Sequence, residues 1–230
     1  MFTIEFKVKT ISNCLIGNQT ESFSIGGVDQ ATTVDVEGFP IIHGSAIKGC
    51  LRNIVREENK VKCLMPSTMK FLKEYLNDLY KKYDTHSEEN DVIKNLKKTI
   101  EIYEKECKVE YIFGIEGLNT MPRLFFSDIK LKDKNAGESY FIIETKNSLE
   151  EKNEKVESRP RTYKVIRPGL EFEENIKFKG SSEYESEMKK ELEQMLLKFN
   201  DGIYGIGNSK SRGYGNIEVE LCGEKNDVEI

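Results

Sequence analysis

Residues 202–215, Gly202-Ile203-Tyr204-Gly205-Ile206-Gly207-Asn208-Ser209-Lys210-Ser211-Arg212-Gly213-Tyr214-Gly215, set five glycines between a helical pattern and an alternating strand. Glycine removes side-chain bulk and admits left-handed backbone, so this run forces a tight, irregular passage from helix to strand. Ahead of it, Met188, Leu192, Met195, Leu196 and Phe199 line one face of a helix over roughly 184–199. Behind it, Ile217, Val219 and Leu221 alternate as a half-buried strand requires. Such a loop can bring successive backbone N–H groups close to phosphates, while Lys210 and Arg212 add positive charge and Ser209 and Ser211 add hydroxyl donors. A nucleotide-binding P-loop competes, since Ser209-Lys210-Ser211 resembles its end. That motif runs from strand into helix, the reverse of the order here, and no glycine directly precedes Lys210. A solvated loop with no ligand is the plain alternative.

The remaining chain supplies the other elements. Phe2, Ile4, Phe6 and Val8 alternate as a first strand. Gly44-Ser45 opens a helix carrying Ile47, Leu51, Ile54 and Val55, with Ser45 as its N-cap. Two further helical patterns follow, Leu72, Leu76, Leu79 and Tyr83, then Val92, Leu96, Ile100 and Tyr103, joined by a polar turn over 84–90. They form a helical hairpin inserted at about 63–110. Strands are expected at 124–129 and across 170–178, separated by a charged stretch. Without insertions the order is strand, helix, strand, strand, helix, strand. That is an α+β, ferredoxin-like βαββαβ core, the arrangement RNA-recognition modules use, and the fold alone does not fix function.

A formal net charge of −5 over 230 residues excludes a protein that coats nucleic acid over its whole surface, so any such contact depends on clustered Lys and Arg. Cys14, Cys50, Cys63, Cys107 and Cys222 lie far apart, without the close pairs of a zinc site, and read as reduced thiols. The N-terminus shows no basic segment leading into an apolar stretch, and no run approaches the roughly 18 apolar residues of a membrane span. A cytoplasmic protein with no membrane partner is expected.

Two ordered motifs carry a family resemblance. The loop ending Gly207-Asn208-Ser209-Lys210-Ser211-Arg212-Gly213-Tyr214-Gly215 resembles the C-terminal glycine-rich signature of the RAMP (repeat-associated mysterious protein) superfamily of CRISPR systems. Near the N-terminus, Ile25-Gly26-Gly27-Val28-Asp29 and then Phe39-Pro40-Ile41-Ile42-His43-Gly44-Ser45-Ala46-Ile47-Lys48-Gly49-Cys50-Leu51-Arg52 resemble its Asp-bearing loop leading into a Lys-Gly helix. The resemblance covers most of the chain and is weakest over the helical hairpin. Length, the Asp-bearing loop and the basic segment make it most similar to the repeated backbone subunit of type III effector complexes.

That resemblance implies a single RAMP domain over 1–230 with a β-hairpin thumb at about 144–165. It implies partners: guide (CRISPR) RNA, target RNA, further copies of the same chain in a filament, and other effector subunits. It also implies cleavage of paired target RNA at regular intervals, with Asp29 as the catalytic aspartate and holder of a divalent ion, Mg²⁺ or Mn²⁺. The target's own 2′-hydroxyl would attack and leave a cyclic phosphate. A non-catalytic guide-RNA scaffold acting with a separate nuclease is the alternative, and for Asp29 a plain turn role. A guide-processing nuclease is a third reading, disfavoured because it would lean on His43 or His86, the two histidines of the chain.

For RNA contact, Lys48 and Arg52 lie four apart and share a helix face, and Ser45 sits at that helix's start. His43 either meets RNA or caps the turn. Within the basic stretch from Lys146 to Arg167, Arg161 and Arg167 fall where the family places basic contacts, against the alternative of a solvated hairpin. The glycine-rich loop contributes Gly207, Ser209, Lys210, Ser211, Arg212, Gly213 and Tyr214. Asp35 and Glu37 are weaker carboxylate candidates.

Overall fold

The computed structural model describes residues 1–17, 28–84, 91–118, 124–135, 139–152, 155–180 and 182–223. In chain order its elements are β1 (Phe2–Thr10), β2 (Gln30–Ala31), β3 (Ile41–Ile42), α1 (Gly44–Glu58), α2 (Pro66–Asp84), α3 (Asp91–Lys105), β4 (Leu124–Phe126), β5 (Ile129–Leu131), β6 (Phe141–Lys152), β7 (Lys155–Ile166), β8 (Glu171–Phe178), α4 (Glu185–Leu197) and β9 (Ile217–Leu221). Helices with a largely antiparallel sheet make the expected α+β class. The polar turn expected at 84–90 lies, beyond Asp84, outside the described residues, as do Gly26, Gly27 and His86. Among the described residues no helix is long and apolar enough to cross a membrane.

The chain divides into two compact units. The first takes Met1–Ile4, Leu51–Phe126 and Asn175–Leu196. Its core follows the helical spacing: Leu72, Leu76 and Leu79 of α2 and Met188, Leu192 and Met195 of α4 are buried. Each such side chain contributes about 1.5–3 kcal/mol on leaving water. Phe178 stacks on Phe2 at 4.9 Å and meets Phe71 edge-on at 5.4 Å. The α3 pattern is only partly used, since Ile100 is buried whereas Val92 is exposed. Glu191, 8% exposed, accepts the Ser67 amide at 2.7 Å, the Thr68 amide at 2.9 Å and the Thr68 hydroxyl at 2.7 Å. A buried carboxylate thus closes the α2 N-terminus, where its charge is favoured.

The second unit takes Glu5–Cys50, Ser127–Glu174 and the chain from Leu197 onward. The main sheet runs in the order β3-β5-β8-β1-β9, with β4 also on β8. The strand β9 is antiparallel to β1, Val8 opposite Val219 and Thr10 opposite Ile217. Alternation buries Phe6, Val8, Ile217 and Val219. A second sheet, β2-β7-β6, contains a hairpin of β6 and β7 whose strands run from Phe141 to Ile166. Its tip, 153–154, lies outside the described residues.

Two local expectations are corrected. The strand expected over 124–129 is two strands: Phe126 pairs with Ile176 and Lys130 with Glu173, so Ser127, Asp128 and Ile129 face only Glu174 and Asn175. One extra residue is a bulge, and it frees Asp128 from the ladder. The Ser127 amide donates to Glu174 Oε1 at 2.9 Å. The second correction is the α1 cap. The helix already begins at Gly44, whose amide donates to Asp128 Oδ1 at 2.9 Å, so Ser45 stands exposed within the first turn. Capping comes from the bulge, 84 residues away in sequence.

Candidate nucleic-acid interface

The glycine-rich loop encloses one exposed turn. Ser209 takes left-handed backbone at φ +59°, Lys210–Arg212 form a single 3₁₀ turn, and Gly213 closes it at φ +83°. Lys210, Ser211, Arg212 and Gly213 are exposed. Of the row of phosphate-facing amides expected here, five are taken up within the protein. Ile206 N–H donates to Gly215 O, Asn208 to Leu15 O, Arg212 to Ser209 O, Gly213 to Lys210 O and Gly215 to Asn13 O, all at 2.8–3.0 Å. The glycines serve packing more than ligand approach: a Cβ on Gly207 would lie 2.3 Å from Leu15 O, and one on Gly215 2.0 Å from Ile206 O. Gly207 is therefore fixed by the chain beside it. What the loop presents to an anion is the Lys210–Gly213 turn and its two cations.

Tyr214, expected as an RNA contact, is corrected as well. It is buried with Leu15, Tyr163 and Val165, and its hydroxyl donates to Glu144 Oε2. Burial first, then the Glu144 carboxylate, raises its pKa above the ordinary phenol range. Glu144 Oε1 also accepts Asn13 Nδ2 at 2.6 Å. Lys146 Nζ lies 3.9 Å from the Tyr214 ring centroid and 4.0 Å from Glu144 Oε2. The hairpin register sets Lys146 directly opposite Arg161. Like charges facing one another across a strand pair destabilise it unless an anion sits between them. Arg212, two residues before Tyr214 in the chain, opposes the rise in the Tyr214 pKa with its charge.

Burial pushes up the Cys50 thiol, opposed by the Lys210 charge and by the Gly207 amide. Lys48 is half-buried in the second unit. Arg52, in the first unit, is exposed. His43 Nδ1 lies 3.3 Å from Asp128 Oδ1, and its carbonyl accepts the Ala46 amide at 2.8 Å, which is the turn-capping role. The Gly44 amide, offset by burial and helped by His43, holds Asp128 below the usual carboxylate range. Arg167 Nε donates to Ser139 O at 2.7 Å.

Asp29 is exposed at the edge of the hairpin. Its amide donates to Thr162 O at 2.9 Å, and Oδ2 accepts the Thr162 amide at 2.5 Å. Asp35 and Glu37 are occupied: Asp35 Oδ1 accepts the amides of Glu37 and Phe39 at 2.9 and 3.0 Å, and Lys134 bridges both carboxylates. Among the described residues no three His, Cys, Asp or Glu side chains group to hold a metal. A Mg²⁺-like ion takes one or two carboxylates and completes its shell from phosphate and water. Asp29 fits such an ion only as one ligand shared with a bound phosphate, and the described residues build no cage around it.

Glu144, Asp128 and the pairing of Lys146 escaped the sequence reading. Counting rungs back from the hairpin tip would have set Lys146 against Arg161, and Ser127-Asp128 interrupting an apolar run marked the bulge. Nothing local marked Glu144.

The model of the RAMP superfamily matches residues 7–218. No curated protein matches. Among solved structures, a chain in the cryo-EM structure of the Type III-B Cmr-beta bound to cognate target RNA matches at TM-score 0.58 and 19% identity, over 95% of this chain and 60% of that one. A chain in the apo state of the Type III-B Cmr-beta matches at TM-score 0.48 and 12% identity, over 97% of this chain and 98% of that one. The present chain thus spans about three fifths of the first of these, and the likeness is one of fold.

Proposed function

We propose that this chain, which belongs to the RAMP superfamily, is an RNA-binding subunit of a type III CRISPR ribonucleoprotein in the cytoplasm that holds a guide RNA by its sugar-phosphate backbone. The observation that carries the reading is the exposed Lys210–Arg212 turn, two residues before Tyr214, whose ring centroid lies 3.9 Å from Lys146 Nζ, with Lys146 opposite Arg161. Phosphate contacts position a strand without reading its sequence, as a subunit that accepts many guides requires. The strand order β5-β8-β1-β9, with α1 following β1 and α4 following β8, supports a ferredoxin-like core. In this reading the β6–β7 hairpin is the thumb, further copies line up along the guide, and other effector subunits complete the particle.

The finer activity is cleavage of paired target RNA beside Asp29. The target's 2′-oxygen forms the new bond to phosphorus, the bond from phosphorus to the 5′-oxygen breaks, and the proton passes from the 2′-hydroxyl to the leaving oxygen. A shared divalent ion would supply charge stabilisation at the phosphate. Two hydrogen bonds to Thr162 hold Asp29 still, so its remaining oxygen has a defined position. The same bonds favour the second reading, a non-catalytic scaffold in which Asp29 only fastens the hairpin edge.

Purification of the protein with its native complex and sequencing of the co-purified RNA tests the main reading. Repeat-derived guides are expected; a particle free of RNA overturns it.

A further inference from the structure

Two successive rungs of the β6–β7 hairpin are tied to different parts of the second unit. On one, Glu144 stands opposite Tyr163. Its two oxygens take a side chain each from the segment after β1 and from the glycine-rich loop, Asn13 Nδ2 at 2.6 Å and the Tyr214 hydroxyl. On the next, Thr145 stands opposite Thr162 with hydroxyl oxygens 3.5 Å apart, and Thr162 makes both backbone bonds with Asp29. One carboxylate therefore joins the loop to a hairpin base whose adjacent rung fixes Asp29.

We propose that Glu144 is a positioning residue that couples the Lys210–Arg212 turn to the Asp29 rung, so that a polyanion settling on the turn also orders Thr162 and Asp29. The proposal rests on the reading that this turn binds RNA. Lys146 supplies the lever. It is shared between Glu144 and the Tyr214 ring and faces Arg161, so a phosphate drawn to Lys146 and Arg161 takes it from Glu144. Glu144 is then left wholly to Asn13 and Tyr214, which tightens the rung. Coupling of this kind is reciprocal: ordering the rung raises affinity at the turn by the same factor.

The test is amide hydrogen exchange at Thr162 in the full chain, with and without a single-stranded oligoribonucleotide of about 20 nucleotides at saturating concentration for each variant. In the wild type, RNA is expected to slow Thr162 exchange several-fold. E144A should lose that response while still binding RNA. E144Q should restore it, because a glutamine oxygen accepts from Asn13 and its amide donates to the Tyr214 oxygen. Y214F removes one hydroxyl from an otherwise intact ring and should lose the response as E144A does, which keeps the test open if E144A fails to fold. Equal protection of Thr162 in the wild type and Y214F, with RNA bound to both, overturns the coupling and leaves RNA binding standing. A wild type that binds no RNA overturns the RNA-binding reading and the coupling together.

Discussion

The carboxamide of Asn200 makes both hydrogen bonds with Val219 that a neighbouring strand would make: Nδ2 donates to Val219 O at 3.0 Å, and Oδ1 accepts the Val219 amide at 2.7 Å. The strand β9 ends the main sheet, and an unpaired edge is a template for other chains. Asn200→Ala is expected to lower stability by roughly 1–2 kcal/mol, the net worth of two such bonds. The urea midpoint should fall with an unchanged slope, and light scattering should report new association.

The exposed turn predicts a salt signature. Lys210→Ala and Arg212→Ala should each weaken binding of single-stranded RNA and flatten the logarithmic salt dependence by about 0.7 per lost phosphate contact. Lys134→Ala should leave that slope alone, because its ammonium bridges the Asp35 and Glu37 carboxylates. Filter binding across a salt series separates the two groups.

Asp29→Ala in the reconstituted complex is expected to abolish regularly spaced target cuts while guide binding persists. Gel analysis of end-labelled target reads this directly. Cuts that continue unchanged assign destruction to a separate nuclease and leave Asp29 a fastening role.

Asp128 links pH to stability. Its folded-state pKa is depressed, by the Gly44 amide above all, so its contribution is present above the unfolded carboxylate pKa and disappears as pH falls through the folded value. Asp128→Ala should therefore be less stable than the wild type at pH 7, and the gap should narrow progressively as pH falls below about 4. Parallel urea melts at pH 7 and pH 3 measure it; a gap that stays constant would detach Asp128 from the acid dependence.

The glycines divide by mechanism. At Gly213 nothing lies within 4 Å of an added Cβ, so Gly213→Ala carries only the penalty of left-handed backbone, about 1–2 kcal/mol. Gly215→Ala adds a Cβ 2.0 Å from Ile206 O at φ +77° and should be far more destabilising, read as a lower melting temperature.

Much of the fold was legible because periodicity is local. Leu72, Leu76 and Leu79 announced α2, Met188 and Leu192 announced α4, and the alternation at Ile217 and Val219 announced β9. Between Leu124 and Ile129 it misled, since one extra residue against β8 shifts the inward set from Leu124 to Ile129 and Leu131. Composition marked the glycine-rich loop as special without revealing why. Five glycines are equally suited to offering amides and to bringing backbones together, and only the positions of Leu15 O and Ile206 O decide between these.

The sequence by itself determined which segments become helix and strand, and which stretch carries the exposed Lys210 and Arg212, because those properties depend on residues within a turn or two of one another. Tertiary structure alone decided which polar groups remain for a ligand. Asp128 reaches across 84 residues to cap α1, and Glu144 across 70 to take Tyr214 out of the candidate interface. A donor or charge is available only when nothing distant in sequence has already satisfied it, and that depends on contacts no local pattern encodes.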